Sequence, residues 1–184
     1  MHDVKKIVII GPESTGKSTL CSELATHYNT ICCPEYARAF LTKHGTNYSY
    51  TDLLTIAKGQ LNLEDEYVEK VVIANSKLKT QNSEFVFIDT DMYVMKVWCE
   101  FVFDQCHQWI LDQITNRSYD LYLLCKPDLP WIKDTLREYP DEKLRIKLYH
   151  YYHDLLINQS TPWVEISGSY KERLQTAIKV VEAL

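Results

Sequence analysis

Apolar residues follow two rhythms along the chain, short unbroken runs alternating with longer stretches in which they recur every three or four positions. Residues 4–10 (VKKIVII) read as a strand and residues 19–28 (TLCSELATHY) as a helix. Residues 30–33 (TICC) form a short β-prone run stopped by Pro34, and a short helix follows from Pro34 to Lys43 until His44, Gly45 and Thr46 break it. From Tyr50 to about Thr80 the spacing of Leu53, Leu54, Ala57, Leu61, Val68, Val71, Val72 and Leu78 predicts a long helical stretch, interrupted by Gly59 and bent there. The run FVFI at 85–88 has the character of a strand buried on both faces. A second long helix is predicted over 92–115, carrying Tyr93, Trp98, Phe101 and Trp109. A strand at 119–125 (YDLYLLC) ends at the loop chemistry of residues 126–130, and the proline-bounded, charged segment 131–141 reads as mobile. A helix over 142–158, a strand at 163–166 and a last helix over 170–183 complete the pattern, with no internal repeat or low-complexity tract.

Strands alternating with helices predict an α/β fold: a mainly five-stranded parallel sheet with helices on both faces. In such sheets the active loops gather at the carboxyl ends of the strands. Three chemistry-bearing stretches fall there: GPESTGKST after the first strand, PEYAR after the second and DTD after the third.

The stretch Gly11, Pro12, Glu13, Ser14, Thr15, Gly16, Lys17, Ser18, Thr19 fits the phosphate-binding P-loop pattern of a glycine, four residues and Gly-Lys-Ser/Thr. A nucleoside triphosphate crowds anionic oxygens into a small volume. The glycines let consecutive N–H groups turn inward, Lys17 reaches the terminal phosphates, and the Ser18 hydroxyl ligates Mg²⁺. The helix that follows sets its positive dipole end against the phosphates. A fortuitous glycine turn is the bland alternative, and the strand-loop-helix context argues against it.

Asp89 closes the third strand, where P-loop enzymes keep an acid that holds Mg²⁺ directly or through water; its other reading is a helix N-cap. Asp91 is a candidate for a substrate hydroxyl or for the cap itself. Glu35 and Arg38 share a helix face, as a surface ion pair or as a proton acceptor and an oxygen clamp. Among Lys133, Arg137, Lys143 and Arg145, Arg137 is the choice for neutralising phosphoryl charge, against the alternative of a solvated charged face. Most of the 13 Tyr and 4 Trp must pack in the core; Tyr36, Tyr93, Trp98 and Trp131 lie near strand ends and are candidates for stacking on a planar or cationic ring. The run His150-Tyr151-Tyr152-His153 reads as surface and packing, since no acid is placed beside it.

The length of 184 residues favours a single domain with a lid at about 127–141. A net charge of -5 gives no reason to expect a nucleic-acid partner. Six cysteines without a CxxC pair read as buried thiols of a reducing, cytoplasmic protein, and no apolar run is long enough for a membrane span. Homo-oligomerisation is left open.

The blocks GPESTGKSTL, PEYAR, IAKGQ, FIDTD, YDLYLLCKPDLPWIKDTLR and ISGSYKER occur in order, and with them nearly the whole chain resembles the ribosylnicotinamide kinase domain of NadR-type proteins. The resemblance implies a P-loop kinase fold and transfer of the ATP γ-phosphate to the 5′-hydroxyl of nicotinamide riboside, giving nicotinamide mononucleotide. It implies phosphate binding by Gly11 through Thr19, catalytic roles for Lys17, Glu35, Asp89 and Arg137, and Mg²⁺ held by Ser18 and Asp89. Arg38 and Asp91 become candidates for substrate contact, and the stretch from Ser167 to Arg173, with Ser167, Gly168 and Tyr170 as the named contacts, falls where related kinases hold the adenine. Either Glu35 or Asp89 serves as the base, with similarity to deoxynucleoside kinases favouring Glu35. Full-length NadR proteins carry an adenylyltransferase domain ahead of the kinase; no HxGH-like motif occurs here, so that activity and transcriptional repression are not expected. Another small-molecule kinase, such as a nucleoside kinase, and a nucleotide-dependent ATPase or switch module are the alternatives.

Overall fold

The structure is a computed structural model that describes residues 4–77 and 84–184. Five strands, β1 (Lys5–Ile10), β2 (Cys32–Cys33), β3 (Phe85–Asp89), β4 (Leu121–Cys125) and β5 (Trp163–Ile166), form one sheet in the order β2-β3-β1-β4-β5. All four pairings are parallel, as the apolar runs and the intervening helices predict. With β3 on one side of β1 and β4 on the other, the chain reverses its direction of winding at β1. That is the switch point at which α/β sheets open a crevice.

Seven helices surround the sheet among the described residues: α1 (Lys17–His27), α2 (Tyr36–His44), α3 (Tyr50–Lys77), α4 (Met92–Phe103), α5 (Gln108–Asn116), α6 (Glu142–Ile157) and α7 (Tyr170–Val181). One face of β1 (Ile7, Ile9) packs with Leu20, Leu24, Ala177 and Val181 from α1 and α7. The other face (Val8, Ile10) packs with Val71, Val94, Val97, Leu148 and Tyr152 from α3, α4 and α6. A third cluster joins α2, α3, α4 and α5 through Ala37, Leu53, Met95 and Ile110. Side chains alternate across a strand, so one apolar run serves both layers.

Two sequence expectations are corrected. The helix predicted over 92–115 is two helices, parted at Asp104, which adopts the left-handed conformation (φ 54°) while its N–H donates to Glu100 C=O. Aspartate tolerates that geometry, and a local C-cap leaves no trace in the apolar periodicity. Gly59 lies inside an unbroken 28-residue α3. Its significance is lateral: a Cβ there would stand 2.2 Å from the Tyr36 ring, so the glycine lets α2 close on α3. Leu78 and Thr80, at the predicted end of that helix, lie outside the described residues. The glutamate Glu64, also on α3, is fully buried and held by Tyr119 Oη at 2.9 Å and Arg117 at 3.2 Å, which supplies the counter-charge a buried carboxylate requires. All six cysteines are free thiols, and no helix among the described residues is long and apolar enough to cross a membrane.

Candidate active site

A cavity of about 240 Å³ opens at the carboxyl ends of β1, β2 and β3, lined at one end by Gly11 through Thr19. The loop is shaped by its own sequence. Gly16 takes φ 78° as the residue before α1, a conformation that excludes most side chains, and Ser14 is turned to φ 57°. The Pro12 carbonyl accepts from Thr15 Oγ1 and from Lys17 Nζ, both at 2.8 Å, so the ammonium rests on the loop's own backbone at the mouth of the cavity. Ser18 and Thr19 stay exposed at the start of α1.

Asp89 ends β3 beneath this loop and is 2% exposed. Burial raises its pKa, with the Lys17 ammonium and the Ser18 hydroxyl pulling the other way. Its Oδ1 has no hydrogen-bond partner, an unusual condition for a buried carboxylate and one that suits a cation. Thr90, which follows, is held at φ 78°, a strained setting for a β-branched residue, and its amide donates to Ile9 C=O at 3.2 Å. This turn sends the two flanking aspartates to different work. Asp91 faces away, accepting from the amides of Tyr93 and Val94 at the start of α4 and from Tyr122 Oη at 2.9 Å. With both carboxylate oxygens engaged and 1% exposure, Asp91 is a cap, not a cavity residue, and the expectation of a substrate contact is corrected.

Glu35 stands at the N-cap position of α2, yet its side chain makes no capping bond and lines the cavity instead. Desolvation first, and the Asp89 carboxylate second, push its pKa up to about 7, against the pull of Lys17 and Arg38. Its placement is secured from α3: Gln60 Oε1 accepts the Tyr36 amide at 2.7 Å while Gln60 Nε2 reaches Asp89 C=O at 3.5 Å. Arg38 lines the same wall but pairs with Asp134 at 3.0 Å, so the simple Glu35–Arg38 ion pair is not what these residues form.

The segment between β4 and α6 lies against the P-loop. Ser14 Oγ accepts from the Ile132 amide at 3.1 Å and from Arg137 at 3.3 Å, while Glu13 Oε2 accepts from the amides of Glu138 and Tyr139 at 3.0 and 3.1 Å. Arg137 thereby enters the cavity wall beside the phosphate loop. Burial raises the Glu13 pKa, and the two amides oppose it.

The far end of the cavity is apolar and aromatic, with Val94, Val97, Trp98, Phe101, Tyr139, Leu148 and Tyr152 in its wall. Of the four aromatic candidates only Trp98 is there, its indole N–H donating to Tyr48 Oη at 2.8 Å. Tyr36 is spent on Gly59, Tyr93 packs with its ring centroid 5.5 Å from that of Tyr122, and the Trp131 ring meets the guanidinium groups of Arg137 and Arg145 at 5.9 and 5.5 Å. Proximity to a strand end does not decide which way a ring points. The sequence pattern singles out none of Phe101, Tyr139 and Tyr152 for the wall; Phe101 is one turn beyond Trp98 and Tyr152 one turn beyond Leu148, a helical spacing that finds these two, whereas Tyr139 lies in no helix. Within the run from His150 to His153, Tyr152 is the buried packing residue, and it also lines the cavity. At the opposite edge Tyr170 lies against Gly16, while Ser167 is exposed and outside the cavity wall, and Gly168 donates its amide to Asp128.

A P-loop at the switch point of a five-stranded parallel sheet, with an acid at the end of the neighbouring strand, defines a kinase-like P-loop fold. A family model described as an AAA domain matches residues 6–173, and the chain belongs to that family. It is 26% identical over 186 residues to the trifunctional NAD biosynthesis/regulator protein NadR of Escherichia coli (strain K12), covering 98% of this chain and 43% of that protein. The chain therefore spans less than half the length of the curated relatives it matches. A crystal structure of NadR in complex with NR superposes with a TM-score of 0.79 at 24% identity, covering 99% of this chain and 50% of the other. A NadR structure with NAD and AMP-PNP gives 0.74 at 24% identity over 99% and 49%. The thymidylate kinase of Ehrlichia chaffeensis shares the fold at 0.62, with 15% identity over 97% and 98%.

Proposed function

We propose that the chain is an ATP- and Mg²⁺-dependent kinase that phosphorylates the 5′-hydroxyl of nicotinamide riboside to give nicotinamide mononucleotide. The observation that carries this reading is the two-ended cavity: a P-loop with Lys17 and Arg137 at one end, an aromatic wall at the other, and the Glu35 carboxylate between them. The similarity to NadR, solved with NR in one structure and AMP-PNP in another, supports the choice of acceptor and donor.

In this reading the amides of the P-loop and the Lys17 ammonium receive the polyphosphate, and Lys17 gives up the Pro12 carbonyl to do so. Arg137 neutralises charge on the equatorial oxygens of the transferring group. Glu35, with a pKa of about 7, accepts the proton of the attacking hydroxyl near neutral pH. Asp89 is too deeply placed and too close to Lys17 and Ser18 for that task; with the Ser18 hydroxyl it would hold Mg²⁺. The partnerless Asp89 Oδ1 fits a cation there, and magnesium needs only one or two protein carboxylates besides phosphates and water. Bound Mg²⁺ would supply charge neutralisation between the phosphates. Arg38 and Trp98 are the acceptor contacts, Tyr170 faces the adenine, and residues 127–141 serve as a lid on one kinase domain.

The test is ATP consumption with a panel of ribosides. Stimulation by nicotinamide riboside well above that by deoxynucleosides is the expected result. Strong stimulation by a deoxynucleoside alone would move the protein to the nucleoside kinases, and hydrolysis indifferent to every acceptor would make it an ATPase or switch.

A further inference from the structure

Arg173, on α7, is the largest fully buried side chain among the described residues, at 1% exposure, and it is not itself part of the cavity wall. Its guanidinium reaches three loops at once. Nε donates to Gly168 C=O at 2.7 Å, one terminal nitrogen donates to Thr15 C=O at 3.0 Å, and the other donates to Lys126 C=O at 3.1 Å and to the Asp128 carboxylate. The second oxygen of Asp128 accepts the Gly168 amide at 2.7 Å, closing a ring of bonds between the loops that follow β4 and β5.

A buried guanidinium carries a desolvation cost that Asp128 offsets only in part, and an apolar side chain could fill the space without it. What an apolar side chain could not do is hold three carbonyls in fixed directions. In a trans peptide the C=O and the following N–H point opposite ways. By holding the Thr15 carbonyl outward, beneath the loop, Arg173 turns the Gly16 N–H inward, where an anion nest needs it. The same guanidinium sets the turn at Gly168, beside Tyr170, which lies against Gly16.

We propose that Arg173, braced by Asp128, is the positioning residue of the nucleotide site, orienting the P-loop amide that meets the phosphates and the turn after β5 in one unit. The proposal rests on the nucleotide-binding half of the function above and is independent of the acceptor. A lysine would keep the charge but not the planar fork, so it cannot serve three diverging carbonyls.

The experiment is calorimetric titration of the full chain with ATP, and separately with nicotinamide riboside, for the unaltered protein, Arg173→Lys and Asp128→Asn, with thermal unfolding of each. Arg173→Lys is expected to weaken ATP by at least about tenfold and Asp128→Asn by about threefold, the riboside staying within about twofold. Should Arg173→Lys fail to fold, Asp128→Asn decides the matter by the same comparison. Unchanged ATP affinity in the folded variants, or equal losses for ATP and riboside, overturns the proposal and assigns Arg173 to fold stability. An unaltered protein that fails to bind ATP overturns the nucleotide reading and this proposal with it, whereas ATP binding without riboside phosphorylation overturns the acceptor alone.

Discussion

At the phosphate end of the cavity the wall is made of consecutive residues, Gly11 through Thr19, whose backbone is held by contacts within the loop and by a buried arginine behind it. At the aromatic end the wall is gathered from α2, α4, α6 and the 131–139 segment, and that segment is tied to the P-loop by side-chain-to-backbone bonds from Glu13 and Ser14. The first kind of construction presents a fixed array of donors to one chemical group. The second is looser, since the 131–139 segment belongs to no strand or helix and is tied to the loop by a few part-buried and exposed hydrogen bonds. A kinase needs both, a rigid cradle for the donor and a removable cover for the acceptor.

The largest effect should come from the rigid end. Lys17→Ala is expected to lower kcat/KM for ATP by about a thousandfold with the fold retained and a modest fall in unfolding temperature, since the side chain bonds the Pro12 carbonyl and offsets the Asp89 and Glu35 carboxylates. A variant retaining full activity would break the P-loop assignment.

Glu35→Gln, at the junction of the two ends, should reduce kcat by about 10²- to 10³-fold. In the unaltered protein kcat should rise as pH passes through about 7, because the carboxylate is the active form. Stability runs the opposite way. A carboxyl with a raised folded-state pKa contributes stability below its unfolded value that is lost as pH climbs through about 7. Glu35→Gln should therefore unfold at a higher temperature than the parent at pH 8, and the advantage should vanish near pH 4.

Arg137→Ala should lower kcat about a hundredfold while leaving the binding of the riboside alone little changed, as expected for a charge used in the transition state. Next in size, Trp98→Ala should raise KM for the acceptor about tenfold, with KM for ATP within about twofold. Steady-state kinetics with each substrate varied in turn checks both, and a loss shared equally by the two substrates would erase the division between the ends.

The smallest catalytic effect belongs to Asp91→Ala, which should cost about 1–2 kcal/mol of stability through the lost α4 cap while activity at low temperature stays within a few-fold. Denaturant unfolding beside kinetics separates this from a substrate contact. The pair Asp89 and Asp91 shows why sequence left their roles open. They are two residues apart, both follow an apolar strand, and only the left-handed turn at Thr90 distinguishes the one under Lys17 from the one under α4.

Arg38 poses a similar case. Its spacing from Glu35 on a helix is correct for an ion pair, but Asp134, far along the chain, takes it instead. The break at Asp104 was hidden for another reason: apolar residues continue on both sides of it, so the periodicity that signals a helix persists through a gap.

What the sequence alone determined is whatever depends on neighbours in the chain. The strand cores, the helix after each strand, the P-loop with its Gly16 and Lys17, and the carboxyl-end placement of PEYAR and DTD all follow from local pattern and the parallel winding it implies. Tertiary structure decided everything that requires elements to meet. It chose Trp98, Phe101, Tyr139 and Tyr152 for the aromatic wall, aimed Glu35 inward by way of Gln60, and brought Arg173 beneath Thr15 across 158 positions of sequence. The physical reason is that a side chain's chemistry is set by its burial and its partners, and both come from packing between segments whose separation along the chain carries no record of the contact.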